Sequence, residues 1–173
     1  VGKNSVGIAT AIALSDNAVA AYLKGDGAND GKDNTVNGSS FNVEAENVYN
    51  GAANYDDANN TTAKTVAIGG GVGTGAVAAT GSVTVNIIDN DTQAYLGAGN
   101  YASDGAVNVK ADSQAHMFGL AGGMAVGVKA IGVGAAVDTQ LLDVDTKAYI
   151  DDKVTITKAG NVTVDADSLE KIT

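Results

Sequence analysis

Cysteine, tryptophan, proline and arginine are all missing from this 173-residue chain, and each absence closes off a class of chemistry. Without cysteine there is no disulfide staple, thiolate metal site or thiol nucleophile. Without arginine there is no bidentate guanidinium clamp for phosphate. Histidine occurs once, at His116, which removes paired-imidazole metal sites and leaves a Ser-His-Asp arrangement with nothing but coincidence behind it. Only eight residues are aromatic, six Tyr and two Phe, so any core is thin and made of small side chains. There is no initiator Met, no charged-then-apolar leader and no terminal anchor motif, and the chain reads as an interior piece of something longer.

Basic runs are absent too. Ten Lys oppose twenty carboxylates for a net charge of -10, a balance that excludes nucleic-acid binding, which rests on cationic neutralisation of phosphates. It suits a soluble, self-repelling, extracellular object. The one candidate for a membrane span, residues 119–137, carries one charge at Lys129 and is mostly Gly and Ala, too weakly apolar for a spanning helix. Membrane insertion is therefore not expected.

What is present is repetition. Ala21-Tyr22-Leu23 returns as Ala94-Tyr95-Leu96 and Ala148-Tyr149-Ile150. Each is followed by a second phrase: Phe41-Asn42-Val43-Glu44-Ala45-Glu46, Val107-Asn108-Val109-Lys110-Ala111-Asp112, then Val162-Thr163-Val164-Asp165-Ala166-Asp167. A strand pair repeated in fixed order marks a stack of like units, each burying its apolar face on the next. The alternation separates Val107, Val109 and Ala111 from Asn108, Lys110 and Asp112, which is a strand with one buried face. It also puts Tyr149 on the polar side, with Asp145 and Lys147, so the repeated Tyr is expected at the surface.

Tyr95 to Tyr149 is 54 residues and Val109 to Val164 is 55, whereas Tyr22 to Tyr95 is 73 and Val43 to Val109 is 66. Part of the excess falls in two polar tracts rich in Gly, Asn and Asp, residues 24–40 and 47–63, which read as insertion loops. A third kind of segment, residues 66–78 and 122–137, is small or apolar on both faces, as in a strand covered on both sides.

These features predict an all-β chain, a single segment over residues 1–173 of a right-handed parallel β-helix (solenoid) with two loop insertions. A 55-residue module is expected to hold two coils of roughly 25 to 28 residues, giving about six coils in all. The doubly apolar segments should then lie side by side, two coils apart, on a flank covered by the insertion loops or by a neighbouring chain. An antiparallel sandwich is the alternative architecture.

Residues 133–150 and 160–168, and above all the phrase Asp89-Asn-Asp-Thr-Gln-Ala-Tyr95 with its counterpart Asp143-Val-Asp-Thr-Lys-Ala-Tyr149, resemble repeats in leukotoxin-type and filamentous-haemagglutinin-like exoproteins of Gram-negative bacteria. Asp16-Asn-Ala-Val-Ala-Ala-Tyr22 keeps only the ends of that phrase. The resemblance covers most of residues 64–168. It implies a secreted passenger on the bacterial cell surface, with a right-handed β-helical shaft; the secretion signal and export domain of that family are missing from this sequence.

Other motifs carry less. Residues 26–34 cluster oxygen ligands as a calcium loop would, but Ala28 stands at the third position and Asn37 where a bidentate Glu belongs, so a solvated acidic loop explains them better. Residues 69–75 mimic a phosphate-binding glycine loop, yet no Gly-Lys-Ser/Thr step or helix follows; strand glycines that let coils approach closely account for them. His116, beside Met117 and Phe118, reads as a surface or edge residue. Asn37, Asn60, Asn90 and Asn161 fit the glycosylation sequon by chance in an Asn- and Thr-rich chain. Paired carboxylates for glycan hydrolysis would lack aromatic or cationic sugar-binding neighbours.

The expectation is therefore a non-enzymatic structural shaft and binding segment of a large secreted filamentous adhesin, with no catalytic residues, cofactor or metal. Its partners would be host or neighbouring-cell surface molecules, contacted through residues 24–40 and 47–63. The alternative is a self-assembling subunit of an extracellular fibre, adding its open edge to the next copy.

Overall fold

The computed structural model describes residues 4–25, 35–48, 62–75, 77–127, 129 and 131–173. Among them the chain is all-β with parallel pairing throughout. Its strands are β1 (Ser5–Leu23), β2 (Thr35–Gly38), β3 (Phe41–Asn47), β4 (Ala63–Gly73), β5 (Val77–Leu96), β6 (Gly99–Ser103), β7 (Val107–Gly127), β8 (Ile131–Ile150), β9 (Val154–Lys158) and β10 (Val162–Ile172).

Three sheets result. The first runs β1-β5-β8 and the second, a narrow one, β2-β6-β9. In the third, β7 is paired on one side by β10 and on the other by both β3 and β4. Every repeated phrase lies directly on its next copy: Tyr22 on Tyr95 and Tyr95 on Tyr149, Val43 on Val109 and Val109 on Val164.

That register corrects the expected turn length. Paired strands are separated by 54 residues in the first sheet (Val77 on Ile131) and 55 in the third (Val107 on Val162), with no strand between them. The 55-residue module is thus one circuit of the three sheets, not two, and each sheet is three strands deep where six coils were expected. The one-residue difference enters at the corner before the narrow sheet, since Leu96 pairs with Ile150 but Gly99 with Val154; the β6–β9 irregularity between Tyr101 and Ala102 adds one more residue, which is given back by Val107.

The doubly apolar segments are also not single strands. Residues 66–73 lie in β4 and residue 77 opens β5 in a different sheet; likewise β7 ends at Gly127 and β8 begins at Ile131. They do lie side by side, but as immediate neighbours, Ile68 on Gly122 and Ala78 on Gly132.

Register locates the insertions as well. Leu23 and Thr35 pair with Leu96 and Asn100, so 11 residues of chain lie between them where the next circuit uses 3. Asn47 and Ala63 pair with Ser113 and Met117, here 15 against 3. The extra length falls at residues 24–34 and 48–62. Thr35–Gly38, counted in the first loop from sequence, is instead β2, held on β6.

The first and third sheets face each other, and the gap between them changes along the strands. Near the narrow sheet it is filled by Phe41, Leu96, Tyr101, Val107 and Val109, all buried. Ile88, Ala115 and Met117 continue the core. Farther out only small residues fit: a Cβ on Gly7 would overlap the Gly70 carbonyl, and one on Gly132 the Ala125 carbonyl. The glycines admit the facing sheet, rather than the neighbouring turn that the sequence reading assigned to them.

Polar side chains also point inward. Thr84, Asn86, Asn90 and Thr92 are buried. Asn17 Nδ2 donates to Asn90 Oδ1 at 3.2 Å, and Asn86 Nδ2 to the Phe118 carbonyl at 3.0 Å. Such bonds offset part of the cost of burying the amides; Asn86 Oδ1 and Asn90 Nδ2 find no hydrogen-bond partner among the described residues.

Of the six residues expected inside, Val107, Val109 and Ala111 are fully buried. Val162, Val164 and Ala166 share their inward rows but lie on the outermost strand, leaving Val162 48% and Val164 45% exposed.

Candidate functional site

β1, β5 and β8 are each 19 or 20 residues long and paired without a slip, so their outward side chains form straight columns across the sheet. Three kinds of column follow one another along the strands.

At the end nearest the narrow sheet stands an aromatic column. Tyr22, Tyr95 and Tyr149 stack with ring centroids 5.2 and 5.0 Å apart and planes inclined by 13° and 6°. The surface position read from the alternation is correct, and the structure adds that the three rings form one ladder. Next comes an acidic zone: Asp16, Asp89 and Asp143 share one row, Asp91 and Asp145 another. Lys147 donates to Asp145, and that hydrogen bond raises its pKa. Among the described residues no three His, Cys, Asp or Glu side chains are grouped to hold a metal ion.

Beyond the acids the outer face is aliphatic. Val6, Ile8, Ile12 and Leu14 of β1 share it with Val83 of β5 and Val133, Val137 and Leu141 of β8, Ile8 being 78% exposed. The outer face of the third sheet matches it, with Val66, Ile68, Val72, Leu120, Met124 and Val126 exposed. The chain is therefore inverted there, with small residues between the sheets and large aliphatics outside. Among the described residues nothing covers these faces; of the loops expected to do so, 24–40 and 47–63, residues 26–34 and 49–61 lie outside them. No helix among the described residues is long and apolar enough to cross a membrane.

On the third sheet the outward Lys110 is ion-paired. Lys110 reaches Glu44 of β3 at 3.8 Å and Asp112 at 3.4 Å, and the Asp112 hydrogen bond raises its pKa. Where β9 passes the β6 corner, Lys158 donates to Asp104, whose carboxyl is held below the usual range mainly by that bond.

His116 is the clearest misplacement. It is 3% exposed, not a surface residue, with Nε2 3.3 Å from Thr173 Oγ1 and its backbone N–H donating to Thr62 Oγ1 at 3.2 Å. The chain re-entering at Thr62 and the chain end at Thr173 flank it. Asn90 is likewise interior, so its sequon is closed to modification, while Asn37 and Asn161 are exposed. Asn60 and the calcium-like tract 26–34 lie outside the described residues. Gly69–Gly73 is the end of β4, not a phosphate loop.

Tyr101, unremarked in the sequence, ties the corner together. Its hydroxyl donates to the Gly97 carbonyl at 2.6 Å and accepts from the Gly25 N–H at 2.9 Å. Burial raises its pKa, an effect partly opposed by the Gly25 bond. Phe41 packs edge-on against the ring at 5.8 Å.

A cavity of about 410 Å³ opens at the β1 end of the assembly, lined by residues 21–23 of β1 and residues 40–44. It is bounded by inward and outward side chains alike and by no residue of the second circuit, so it lies over the outer edge of the first. No family model, curated protein or solved structure matches the chain.

Proposed function

We propose that this chain is a non-catalytic structural and binding segment of a secreted bacterial surface adhesin, a right-handed β-solenoid in which each 54- or 55-residue module makes one long turn. The observation that carries the reading is the unbroken register of the first and third sheets: three successive circuits repeat the same sheet order, and each phrase sits on its own copy. A molecule built this way grows by adding modules, each lengthening the stack by about 4.8 Å. Its work is mechanical, to be stiff and to hold loops away from an anchoring surface.

The acidic surface and the lack of thiols fit an extracellular setting, and the resemblance to filamentous exoproteins supplies the bacterial one. Contacts with cell-surface molecules fall to residues 24–34 and 48–62, since added loop length leaves the register of the flanking strands unchanged.

Two measurements test this. Duplicating residues 78–131 in frame should lengthen the particle in small-angle scattering by about 4.8 Å along one axis, with an unchanged cross-section; growth in any other direction removes the solenoid reading. Labelled protein should bind cells, and binding should disappear when both insertions are shortened to the lengths of the second circuit. Undiminished binding by the shortened chain removes the assignment to loops.

A further inference from the structure

The slab formed by the first and third sheets is aliphatic on both outer faces. On the first sheet the stretch runs from Val77 and Ile131, where β5 and β8 begin, to the row of Leu14, Ile87 and Leu141. On the third it runs from Val72 and Val126 back to Phe118. Contiguous exposed apolar area of this kind marks a contact surface. The two stretches stand back to back, since Gly69 is opposite Gly81, Gly123 opposite Gly134 and Gly119 opposite Asp138. A copy laid flat on another with its strands aligned therefore sets one stretch over the other.

We propose that a second copy of this chain packs side by side on the first, its third-sheet face against the first-sheet face of its neighbour, both molecules pointing the same way. The contact goes beyond the shaft reading by giving the shaft a lateral neighbour, and it needs only the packing of the two sheets.

Charge selects the pairing of faces. The first-sheet stretch is bordered by the row of Asp16, Asp89 and Asp143, the third-sheet stretch by Lys64, beside Phe118, and Lys171, beside His116. With strands aligned, first on first sets the Asp row against itself and third on third sets lysine against lysine. First on third brings opposite signs together. Lys171 then falls about 7 Å, and Lys64 about 10 Å, along the strands from the Asp row. Those offsets are close to the Debye length of roughly 8 to 10 Å at moderate salt, so the attraction is felt. Beyond that border both faces are acidic, with Asp91 and Asp145 on one and Glu46 and Asp112 on the other, and the contact ends there.

Shape agrees. Ile68, 63% exposed, stands beside Gly122 on the third-sheet face. Because Gly69 lies opposite Gly81, the level of Ile68 on the first sheet is the row of Ile8, Gly81 and Ala135, whose centre is the shallowest point of that face.

Area sets the strength. From Val77 to Ile87 each circuit adds to a face a strip about 4.8 Å wide and about 36 Å long, so two apposed faces bury roughly 350 Å² per circuit. Four circuits pass the roughly 1,200 Å² at which stable interfaces begin, and three fall just short. Association is therefore weak for this chain and rises steeply with each added module. Unlike faces do not close on a pair, so a third copy can add to the second.

The absence of native cysteine gives a direct test. Gly122→Cys/Ala135→Cys puts one thiol on each outer face, pointing apart within a chain and toward each other across the contact. A short bismaleimide should join such chains into a ladder on a denaturing gel, at least tenfold more efficiently when residues 78–131 are duplicated in frame. Neither single variant should link above background, nor should Gly122→Cys/Ala20→Cys, whose second thiol lies beyond the acidic rows. Adding Ile68→Lys or Met124→Lys should abolish the ladder with the circular dichroism unchanged. Lys64→Glu should weaken it at least threefold, and Asp89→Lys added to that variant should restore it. Linking by a single variant, equal linking by the Ala20 pair, an undiminished ladder from both folded lysine variants, or no linking by the lengthened chain overturns the proposal. A ladder seen only after both insertions are shortened also overturns it, assigning the faces to the chain's own loops, and flotation with phosphatidylcholine vesicles in place of linking assigns them to lipid. Linking without cell binding would leave this contact standing and sink the adhesin reading alone.

Discussion

Gly69 faces the carbonyl oxygen of Gly81 across the gap between the third and first sheets, so closely that a Cβ on Gly69 would overlap that oxygen. Its neighbour Gly70 points the other way, with nothing within 4 Å of where a Cβ would stand. Adjacent glycines thus have opposite tolerance. Gly69→Val should cost about 1–3 kcal/mol, the usual penalty of overpacking, because the sheets must part. Gly70→Ala should be neutral or slightly stabilising through the unfolded chain. Urea unfolding of both variants checks the contrast, and equal costs would contradict the packing.

Tyr95 is the middle ring of its column, stacked on both Tyr22 and Tyr149. Aromatic pairs contribute about 0.5–1.5 kcal/mol beyond the area they bury. Tyr95→Ala should therefore lose roughly twice what Tyr149→Ala loses in chemical denaturation, since only the former removes two contacts.

Tyr101 links stability to alkaline pH. Its folded pKa is raised by burial, so the unfolded chain releases this proton first and stability falls as pH rises from about 10 through the folded value. Below pH 10 the contribution is fully present. Tyr101→Phe should flatten that alkaline slope and cost about 0.5–1.5 kcal/mol at neutral pH, because the hydroxyl's bond to the Gly97 carbonyl is lost while the Gly25 N–H keeps the Ala98 carbonyl as acceptor. An unchanged slope would show that another group governs the loss.

Asp89 sits between Asp16 and Asp143 in one row of adjacent strands. Like charges directly opposite one another are destabilising by a few tenths to about 1 kcal/mol. Asp89→Asn should raise stability at 10 mM salt, and the gain should shrink at 1 M as the charges are screened. A gain independent of salt would point to something other than repulsion.

The sequence by itself determined the strands and the identity of the repeating unit. Period-two alternation in residues 107–112 and 162–167 is a local property of extended chain, and identical phrases pair because they present identical rows. Both insertions were legible as breaks in spacing. The number of circuits was not: a 55-residue period is equally consistent with one long turn or two short ones, and only the bends after Leu96, Ser103 and Gly127 decide between them.

Which way each side chain points was likewise settled by the tertiary structure. Val19, Ala21 and Leu23 pack on the core, and β1 runs unbroken from Ser5, so alternation carries their parity to the far end. Val6, Ile8, Ile12 and Leu14 are thereby turned outward, although each is more apolar than the Gly7, Ala9, Ala11 and Ala13 that face in. Asn90 obeys the same constraint, whereas His116 stands in the outward rank of β7 with Asn108 and Lys110 and is buried by its neighbours Thr62 and Thr173 rather than by facing the core. Local pattern chooses the strand; the gap between two facing sheets, narrow where glycines meet and wide where Tyr101 and Phe41 pack, chooses its inner face.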